Sequence, residues 1–321
     1  MQFRWVPVSG EASVESPNHL RFPGGTSTYT TEEGEIKHDG AKVAQMLSDA
    51  RFSGGKVSAT INFKKISERL AAGITLMANP ELGAHLSVIL GSGPLCSVRM
   101  WPGISSQNGS TGATPTWTDY GAVGSATSLL ENHDYHLEVS VTGSRVVVVL
   151  DGVQLINTDL KYSVPKYTLG AWFFSKDEID FRDFRVSSVS ATAFVVMEFT
   201  ESFNDLYAQV IKPICEQFSV ETLRADERYG PGSILTDIQK QIVESSLIIA
   251  DITPMNANVF YEVGYAHALR KPTILLAQRG TKLPFDISGF RTIFYDNTIN
   301  GKAKVEEGLQ RHLKAVLSGT L

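Results

Sequence analysis

The pattern of apolar and polar positions along the chain changes near residue 190. Before that point, short runs in which apolar and polar residues alternate recur between Gly, Asn and Asp turns, as at residues 56–63 and 135–141. Alternation with a period of two is typical of strands that bury one face, and many short strands of this kind indicate a sandwich. The pattern therefore predicts an all-β domain over residues 1–189.

Three local signals refine this prediction for the first half. Asp151 and Gly152 lie between two apolar runs and predict a tight β-hairpin. Residues 41–50 show a brief helical periodicity, and residues 102–130, which are rich in Gly, Ser and Thr, indicate a long surface loop.

After residue 190, short apolar runs alternate with amphipathic stretches. Such alternation predicts a parallel sheet covered by helices on both faces, and five strands favour the flavodoxin-like order, with a switch point between the first and third strands. We therefore expect an α/β flavodoxin-like domain with a five-stranded parallel sheet over residues 190–321. In its second helix, Ile234, Ile238 and Ile242 are expected to face the sheet. The predicted strands are residues 193–197, 220–223, 247–250, 272–277 and 291–295, and the predicted helices begin at Ser202, after Ser233, near Asn258 and at Lys302.

Composition and charge argue against several classes of function. The 321-residue chain is 42% apolar and 20% charged, as globular proteins are, and its net charge of -5 offers no basic surface to nucleic acid. It has two cysteines and no apolar run long enough to cross a membrane. Residues 1–7 lack the apolar run of a signal peptide, so we expect no secretory leader. His85, His133 and His136 share no metal-ligand spacing. We expect a cytoplasmic protein without a metal, a nucleic-acid partner or a membrane partner.

The first half shows little sign of catalysis. A sandwich glycosidase needs two carboxylates on one concave face, and no Glu-x-Asp-x-Glu cluster lies on a predicted strand. Trp101, Trp117 and Trp172 leave two interpretations open, a platform on which a sugar ring stacks or ordinary aromatic packing, and packing is the commoner use of such residues.

The candidate chemistry lies in the second half, around the third predicted strand. Asp251 ends that strand, and a loop with Asn256 leads to a helix that we expect to begin near Asn258 as its N-cap, with Glu262 on the first turn or just beyond. Ligands of open α/β sheets bind at the carboxyl ends of the strands. Asp251, Asn256, Asn258 and Glu262 are therefore expected to face one cleft.

Two neighbouring loops add candidate substrate-binding residues. Arg224 and Arg228, after the second strand, are arginines of the kind that bind phosphate bidentately. Asp226 between them is, like Asp251, a candidate proton donor to a leaving base. Phe199 and Tyr229 are positioned to stack on a base. Ordinary alternatives stand beside these roles: the charged loop is a solvated ion-pair cluster, Glu262 only complements the helix dipole, and Asp251 only bonds the next loop.

The second half resembles the bacterial nucleoside 2-deoxyribosyltransferase-like and TIR-like domains. In that superfamily a glutamate early on the helix after the third strand is catalytic, which implies this role for Glu262. In the transferase branch the strand-end aspartate helps to engage the base or the sugar, which implies this role for Asp251. The residues that carry the resemblance are 194–199, 203–207, 211–215, 223–226, 248–253, 256–269 and 271–272.

The first half resembles the concanavalin A-like jelly rolls of laminin-G and lectin or glucanase domains. The likeness covers most of residues 40–188 and is carried by the turn at residues 52–55, the hairpin unit at residues 135–153 and the closing run at residues 170–186. It implies a jelly-roll sandwich that serves as a sensing or assembly module, without specifying its ligand.

These resemblances imply an N-glycosidase that hydrolyses NAD and is gated by a signal in bacterial antiphage defence. NAD is then the substrate and no cofactor is required, a small molecule or protein activates the enzyme through the sandwich, and the chain forms a homo-oligomer. The loop at residues 198–202 lacks the Gly-Pro turn of the transferases, and residues 316–321 offer no amide side chain to a neighbouring subunit. Two alternatives remain: a nucleoside or nucleotide deoxyribosyltransferase or N-glycosidase, and a non-catalytic nucleotide-binding sensor.

Overall fold

The computed structural model describes residues 2–30, 34, 36–52, 54–79, 83–101, 116–160, 167–227 and 233–318. The chain divides into two compact units. The first comprises Met1–Val141, Val146–Thr158 and Tyr167–Ser188, and the second comprises Thr142–Arg145, Asp159–Lys166 and Val189–Leu321.

The first unit consists of two antiparallel sheets. One has the order β1-β5-β14-β7-β8-β9-β10 with β4 also paired to β5, and the other has the order β13-β12-β11-β6-β15-β3-β2. The strands are β1 (Trp5–Ser9), β2 (Ser13–Ser16), β3 (His19–Phe22), β4 (Thr26–Thr30), β5 (Ile36–Phe52), β6 (Gly55–Phe63), β7 (Ala71–Asn79), β8 (Ala84–Gly91), β9 (Cys96–Trp101), β10 (Thr118–Val123), β11 (Asp134–Thr142), β12 (Arg145–Leu150), β13 (Val153–Asp159), β14 (Tyr167–Ser175) and β15 (Ile179–Ser188).

The core of this sandwich forms where the inward residues of the two sheets meet. Phe173 of β14 stacks on Phe22 of β3 with ring centroids 5.4 Å apart, and lies edge-on to Phe181 of β15 at 5.8 Å. The hairpin between β12 and β13 is confirmed, and Asp151 and Gly152 have φ values of 49° and 82°, as a two-residue turn that follows the strand twist requires. The all-β sandwich predicted from the alternating runs is therefore confirmed.

Two local predictions in this half are wrong. Residues 41–50 lie inside the long strand β5, which pairs with β1 and with β14, so pairing with distant strands outweighs the local helical periodicity. The predicted loop at residues 102–130 contains β10, which pairs antiparallel with β9. Residues 102–115 of that segment lie outside the described residues.

The second unit is built on a five-stranded, all-parallel sheet of order β17-β16-β18-β19-β20. In chain order along this unit the order is 2-1-3-4-5, so the predicted flavodoxin-like arrangement is confirmed. The strands are β16 (Ala191–Val196), β17 (Val220–Arg224), β18 (Leu247–Asp251), β19 (Thr273–Gln278) and β20 (Thr292–Tyr295). The helices are α1 (Glu201–Leu206), a π-helical segment (Tyr207–Ile211), α2 (Lys212–Gln217), α3 (Ile234–Glu244), α4 (Ala257–Ala268), α5 (Phe285–Ser288) and α6 (Ile299–Ser318).

Helices cover both faces of this sheet because its strands are buried on both sides. Leu247 and Ile249 of β18 belong to the core with α1, α2 and α6, whereas Ile248 and Ala250 belong to the core with α3 and α4. This alternation decides which face each strand-end side chain joins. Among the described residues, no helix has the length and apolar character of a membrane span.

Three helix predictions differ from the structure. The helix predicted over residues 202–218 contains the π-helical segment in its middle. Ile234 is 76% exposed because it is the first residue of α3, while Ile242 on the same helix is fully buried. The N-cap of α4 is Asn256 instead of Asn258, since the Asn256 Oδ1 accepts a hydrogen bond from the Asn258 amide at 2.9 Å.

Candidate active site

Asp251 is the last residue of β18 and one of the two predicted catalytic carboxylates. Its side chain is 1% exposed, and both carboxylate oxygens accept hydrogen bonds. The Tyr295 hydroxyl donates to Oδ2 at 2.5 Å, and the Thr253 amide donates to Oδ1 at 3.0 Å. Burial raises the pKa of Asp251 to about 7, against these two hydrogen bonds, which lower it. Asp251 thus forms hydrogen bonds with both the end of β20 and the turn after β18.

The side chain of Asp251 lies on the sheet face that α1, α2 and α6 cover, because Asp251 is two residues beyond Ile249 along β18 and so points to the same face. Its partner Tyr295 lines a cavity of about 120 Å³ on that face. The cavity is also lined by Ser202, Asp205, Gln278, Asn297 and Lys302. Burial and the adjacent Asp251 raise the pKa of Tyr295 above its usual range, so Tyr295 remains a hydroxyl donor.

Glu262 lies on α4, the helix that packs on the opposite face of the sheet. It is the sixth residue of that helix, on its second turn. Val259, Val263 and Ala266 turn toward the sheet, and Glu262 lies about 60° around the helix from Val259, at the edge of this apolar stripe. The side chain is half-buried and has no hydrogen-bond or ion-pair partner among the described residues. Burial raises its pKa to about 7.

The two carboxyls therefore have different surroundings. Glu262 has a carboxyl without a hydrogen-bond or ion-pair partner among the described residues, and solvent reaches it in part, whereas the carboxyl of Asp251 is enclosed and accepts hydrogen bonds from two donors. A substrate can bond directly to the first without breaking an existing contact. The second already accepts hydrogen bonds from Tyr295 and Thr253.

Arg224, predicted to bind phosphate, is instead engaged within the protein. It ends β17 and is 7% exposed, and its Nε donates to Asp226 Oδ1 at 2.6 Å while its Nη2 donates to Asp226 Oδ2. The guanidinium lies over the rings of Tyr207 and Phe199, at 4.5 and 5.3 Å from their centroids. Its Nη1 is buried and has no hydrogen-bond partner among the described residues. Asp226 therefore occupies the Nε and Nη2 edge of the guanidinium, the edge that was expected to bind phosphate.

The remaining predicted residues fall into three groups. Phe199 is 53% exposed and its ring covers Arg224, so one ring face is open for stacking. Asn256 uses its side-chain oxygen as the helix cap, and Asn258 is an exposed residue of the first turn of α4. Arg228 and Tyr229 lie outside the described residues, and their roles stay predictions.

Glu198 was not among the predicted site residues. It follows β16, and its Oε2 is buried without a hydrogen-bond partner. The acidic loop at residues 198–202 is visible in the sequence, but the unsatisfied oxygen becomes evident only once the chain has folded around it. No group of three or more His, Cys, Asp or Glu side chains among the described residues could hold a metal ion.

In the first unit, the three tryptophans pack on one another. Trp117 lies 5.3 Å from Trp101 and 5.5 Å from Trp172, measured between ring centroids, and Trp172 is 8% exposed. A stacking platform needs an open ring face, which Trp172 lacks. The structure favours the packing interpretation for Trp172.

No model of a known protein family matches the chain, and no curated protein matches it in sequence. Among solved structures it is similar to a Bacillus subtilis carbohydrate-binding module, at 14% identity over 56% of this chain and 92% of that one, with a TM-score of 0.36. It is similar to a prokaryotic β-1,3-1,4-glucanase from a mouse hindgut metagenome, at 9% identity over 57% and 91%, with a TM-score of 0.36. It is also similar to a Clostridium botulinum CMP N-glycosidase, at 19% identity over 38% and 98%, with a TM-score of 0.31. None of these similarities identifies what this chain binds or cleaves.

Proposed function

We propose that the second unit cleaves the N-glycosidic bond of a nucleotide, and that this nucleotide is NAD, from which nicotinamide is released. The observation that carries the proposal is the setting of Glu262, a half-buried carboxyl without a partner among the described residues, on the helix that follows the central strand β18. Burial alone brings its pKa to about 7. Carboxyls perturbed in this way cluster at functional sites.

The chemistry of glycoside cleavage explains the need for such a group. As the bond between the anomeric carbon and the base breaks, its electron pair leaves with the base and positive charge develops on the sugar. A fixed carboxylate beside the anomeric carbon stabilises this charge, or bonds to the carbon until water replaces it. Partial burial strengthens the electrostatic effect because the surroundings screen the charge less than bulk water does.

Nicotinamide suits this site as the leaving base. Its ring is cationic in NAD and becomes neutral on leaving, so it needs no proton, whereas a neutral purine or pyrimidine generally needs a general acid. Asp251 is enclosed, and its oxygens already accept hydrogen bonds from Tyr295 and Thr253, so we do not assign it that task. We assign Asp251 as a positioning residue that fixes Tyr295 and the turn leading into α4.

The proposal also covers the role of the sandwich and the cellular role of the protein. We propose that the sandwich senses a small molecule or protein, or assembles the chain into a homo-oligomer, and so gates the hydrolase. We also propose that the protein acts in the bacterial cytoplasm in defence against phage. These statements rest on the resemblance of the sequence to the two superfamilies named above.

The test is to incubate the purified full-length protein with NAD, alone and with candidate activators, and to follow nicotinamide by chromatography. We expect release that falls about 10²- to 10³-fold in Glu262→Gln, the range seen when a transition-state stabiliser is removed. Glu216→Gln is the matched control, because Glu216 is an exposed glutamate on α2 of the same unit. Release that is equal in Glu262→Gln and wild type would sink the proposal.

The alternatives have their own outcomes in the same preparation. Base exchange between deoxynucleosides without nicotinamide release would assign the chain to the transferase alternative. Tight binding of an intact nucleotide with no turnover under any condition would assign it to the sensor alternative.

A further inference from the structure

Two charged side chains at the carboxyl ends of neighbouring strands each bury a polar atom that has no hydrogen-bond partner among the described residues. These atoms are Oε2 of Glu198, just after β16, and Nη1 of Arg224, at the end of β17. In the described part of residues 189–318, one further buried side-chain atom has no hydrogen-bond partner, the Ser245 hydroxyl oxygen. Ser245 precedes β18 and so lies at the amino ends of the strands, away from Glu198 and Arg224. A buried polar atom without a hydrogen-bond partner is costly, so two such atoms at the carboxyl ends of neighbouring strands point to partners supplied by a ligand.

The two groups call for different partners. The charge of Arg224 is already compensated by the bidentate contact with Asp226, so Nη1 offers one directed hydrogen bond and little net attraction for a phosphate. Glu198 has no cationic partner among the described residues, so its oxygen calls for a donor and its charge favours a positive group nearby. A ligand that satisfies both carries a hydrogen-bond acceptor next to an N–H donor.

Building on the proposed N-glycosidase function, we infer that Glu198 and Arg224 recognise the leaving base through an amide-like edge. Oε2 of Glu198 accepts a hydrogen bond from the N–H of that edge, and Nη1 of Arg224 donates to its carbonyl or ring acceptor. The carboxamide of nicotinamide has such an edge, and so does cytosine. Nicotinamide is the better match, because its ring in NAD carries a positive charge and Glu198 has no cationic partner among the described residues.

Phe199 controls access to this pair. It adjoins Glu198 in the chain, its ring lies over the Arg224 guanidinium, and it is 53% exposed. When this ring turns aside, the guanidinium becomes accessible and the ring can stack on the base that replaces it. The three residues thus provide an acceptor, a donor and a stacking face for one planar amide.

The test is equilibrium binding of free bases to the full-length protein by calorimetry or ligand-observed NMR. Each base is paired with an analogue that lacks the exocyclic N–H donor: nicotinamide with 3-acetylpyridine, and 1-methylcytosine with 1-methyl-2-pyrimidinone, in which the methyl group stands where the sugar is attached. We expect wild type to prefer nicotinamide over 3-acetylpyridine by about 10- to 100-fold, as for a hydrogen bond to a charged group. Glu198→Met, which removes the acceptor and keeps the length, is expected to abolish the preference.

Glu201→Met is the matched control, because Glu201 is an exposed acid three residues further along the chain, at the start of α1, and it should keep the preference. Glu198→Met should melt no lower than wild type, since it removes a buried oxygen that has no hydrogen-bond partner among the described residues. Lower stability would indicate a structural role for Glu198 and overturn the inference.

Equal binding of the two members of both pairs, a preference that survives in Glu198→Met, or no binding of any base would likewise overturn it. A preference confined to the cytosine pair would support recognition of the amide-like edge and assign it to a pyrimidine nucleotide. Because the bases are not cleaved, the outcome is separate from the hydrolase test. A protein that discriminates between the bases without cleaving NAD loses only the proposed function, and one that cleaves NAD without discriminating loses only this inference.

Discussion

At the scale of single residues, burial raises the pKa of two carboxyls to about 7, with different consequences for chemistry. Asp251 is held by two donors and enclosed, so a change in its ionisation alters the support of Tyr295 and of the turn after β18. Glu262 has no such contacts among the described residues, so its ionisation changes what it can do to a substrate. The same physical cause thus yields a structural group on one sheet face and a candidate reactive group on the other.

The pKa of Glu262 leads to a paired prediction for activity and stability. Only the ionised carboxylate stabilises a cationic sugar, so nicotinamide release should rise with pH through about 7. Stability should change in the opposite direction. Between its ordinary pKa of 4.5 and about 7, the folded state keeps a proton that the unfolded state has lost, so stability falls as pH rises across this window.

Glu262→Gln removes this titration and should be more stable than wild type at pH 8, by about 1–2 kcal/mol after discounting for the solvent that reaches the side chain. The two proteins should converge below pH 4.5, where both side chains are neutral. Urea unfolding monitored at several pH values measures the difference. A variant that is less stable than wild type at pH 8 would show that Glu262 is a structural ion-pair partner.

At the scale of elements, the periodicity of the apolar positions was enough to predict the sandwich and the order of the parallel sheet. It was insufficient for β5, because that strand is held by β1 and β14, whose pairing a local pattern does not contain. The positions of Asp251 at the end of β18 and of Glu262 on the following helix followed from the pattern, since strand ends and helix starts are local. The engagement of Arg224 by Asp226 depends on side-chain conformation, and the unsatisfied Glu198 depends on packing, so neither followed from the sequence.

The start of α4 provides an element-scale prediction, because two asparagines two positions apart have different roles there. Asn256→Ala removes the hydrogen bond to the Asn258 amide and should lower the free energy of unfolding by about 1 kcal/mol. Asn258→Ala should leave it unchanged or slightly higher, since the side chain is exposed inside the first turn and alanine favours helix. Chemical denaturation of both variants measures the difference.

This pair also separates capping from substrate binding. If Asn258→Ala weakens NAD binding with no loss of stability, the substrate-binding role predicted for Asn258 gains support. Equal destabilisation by the two substitutions would contradict the assignment of Asn256 as the cap.

At the scale of the whole molecule, each unit contains its own apolar core. The sandwich buries Phe22, Phe173 and Phe181 between its sheets, and the parallel sheet is covered on both faces by its own helices. The boundary near residue 190 follows from the change of pattern in the sequence and remains a prediction. The contacts group residues 142–145 and 159–166 with the second unit, so the division is not a single cut in the chain.

Two separate cores should give two unfolding transitions in calorimetry of the full-length protein. Phe173→Leu enlarges a cavity in the sandwich only and should lower one transition, by a destabilisation of about 1–3 kcal/mol. Ile249→Val acts on the fully buried centre of β18 and should lower the other, by about 0.5–1.5 kcal/mol. NAD should raise only the transition that Ile249→Val lowers, because a ligand stabilises the unit that binds it. A single transition that both substitutions lower would mean that the units unfold as one, and the sandwich would then contribute directly to the stability of the fold that positions Glu262.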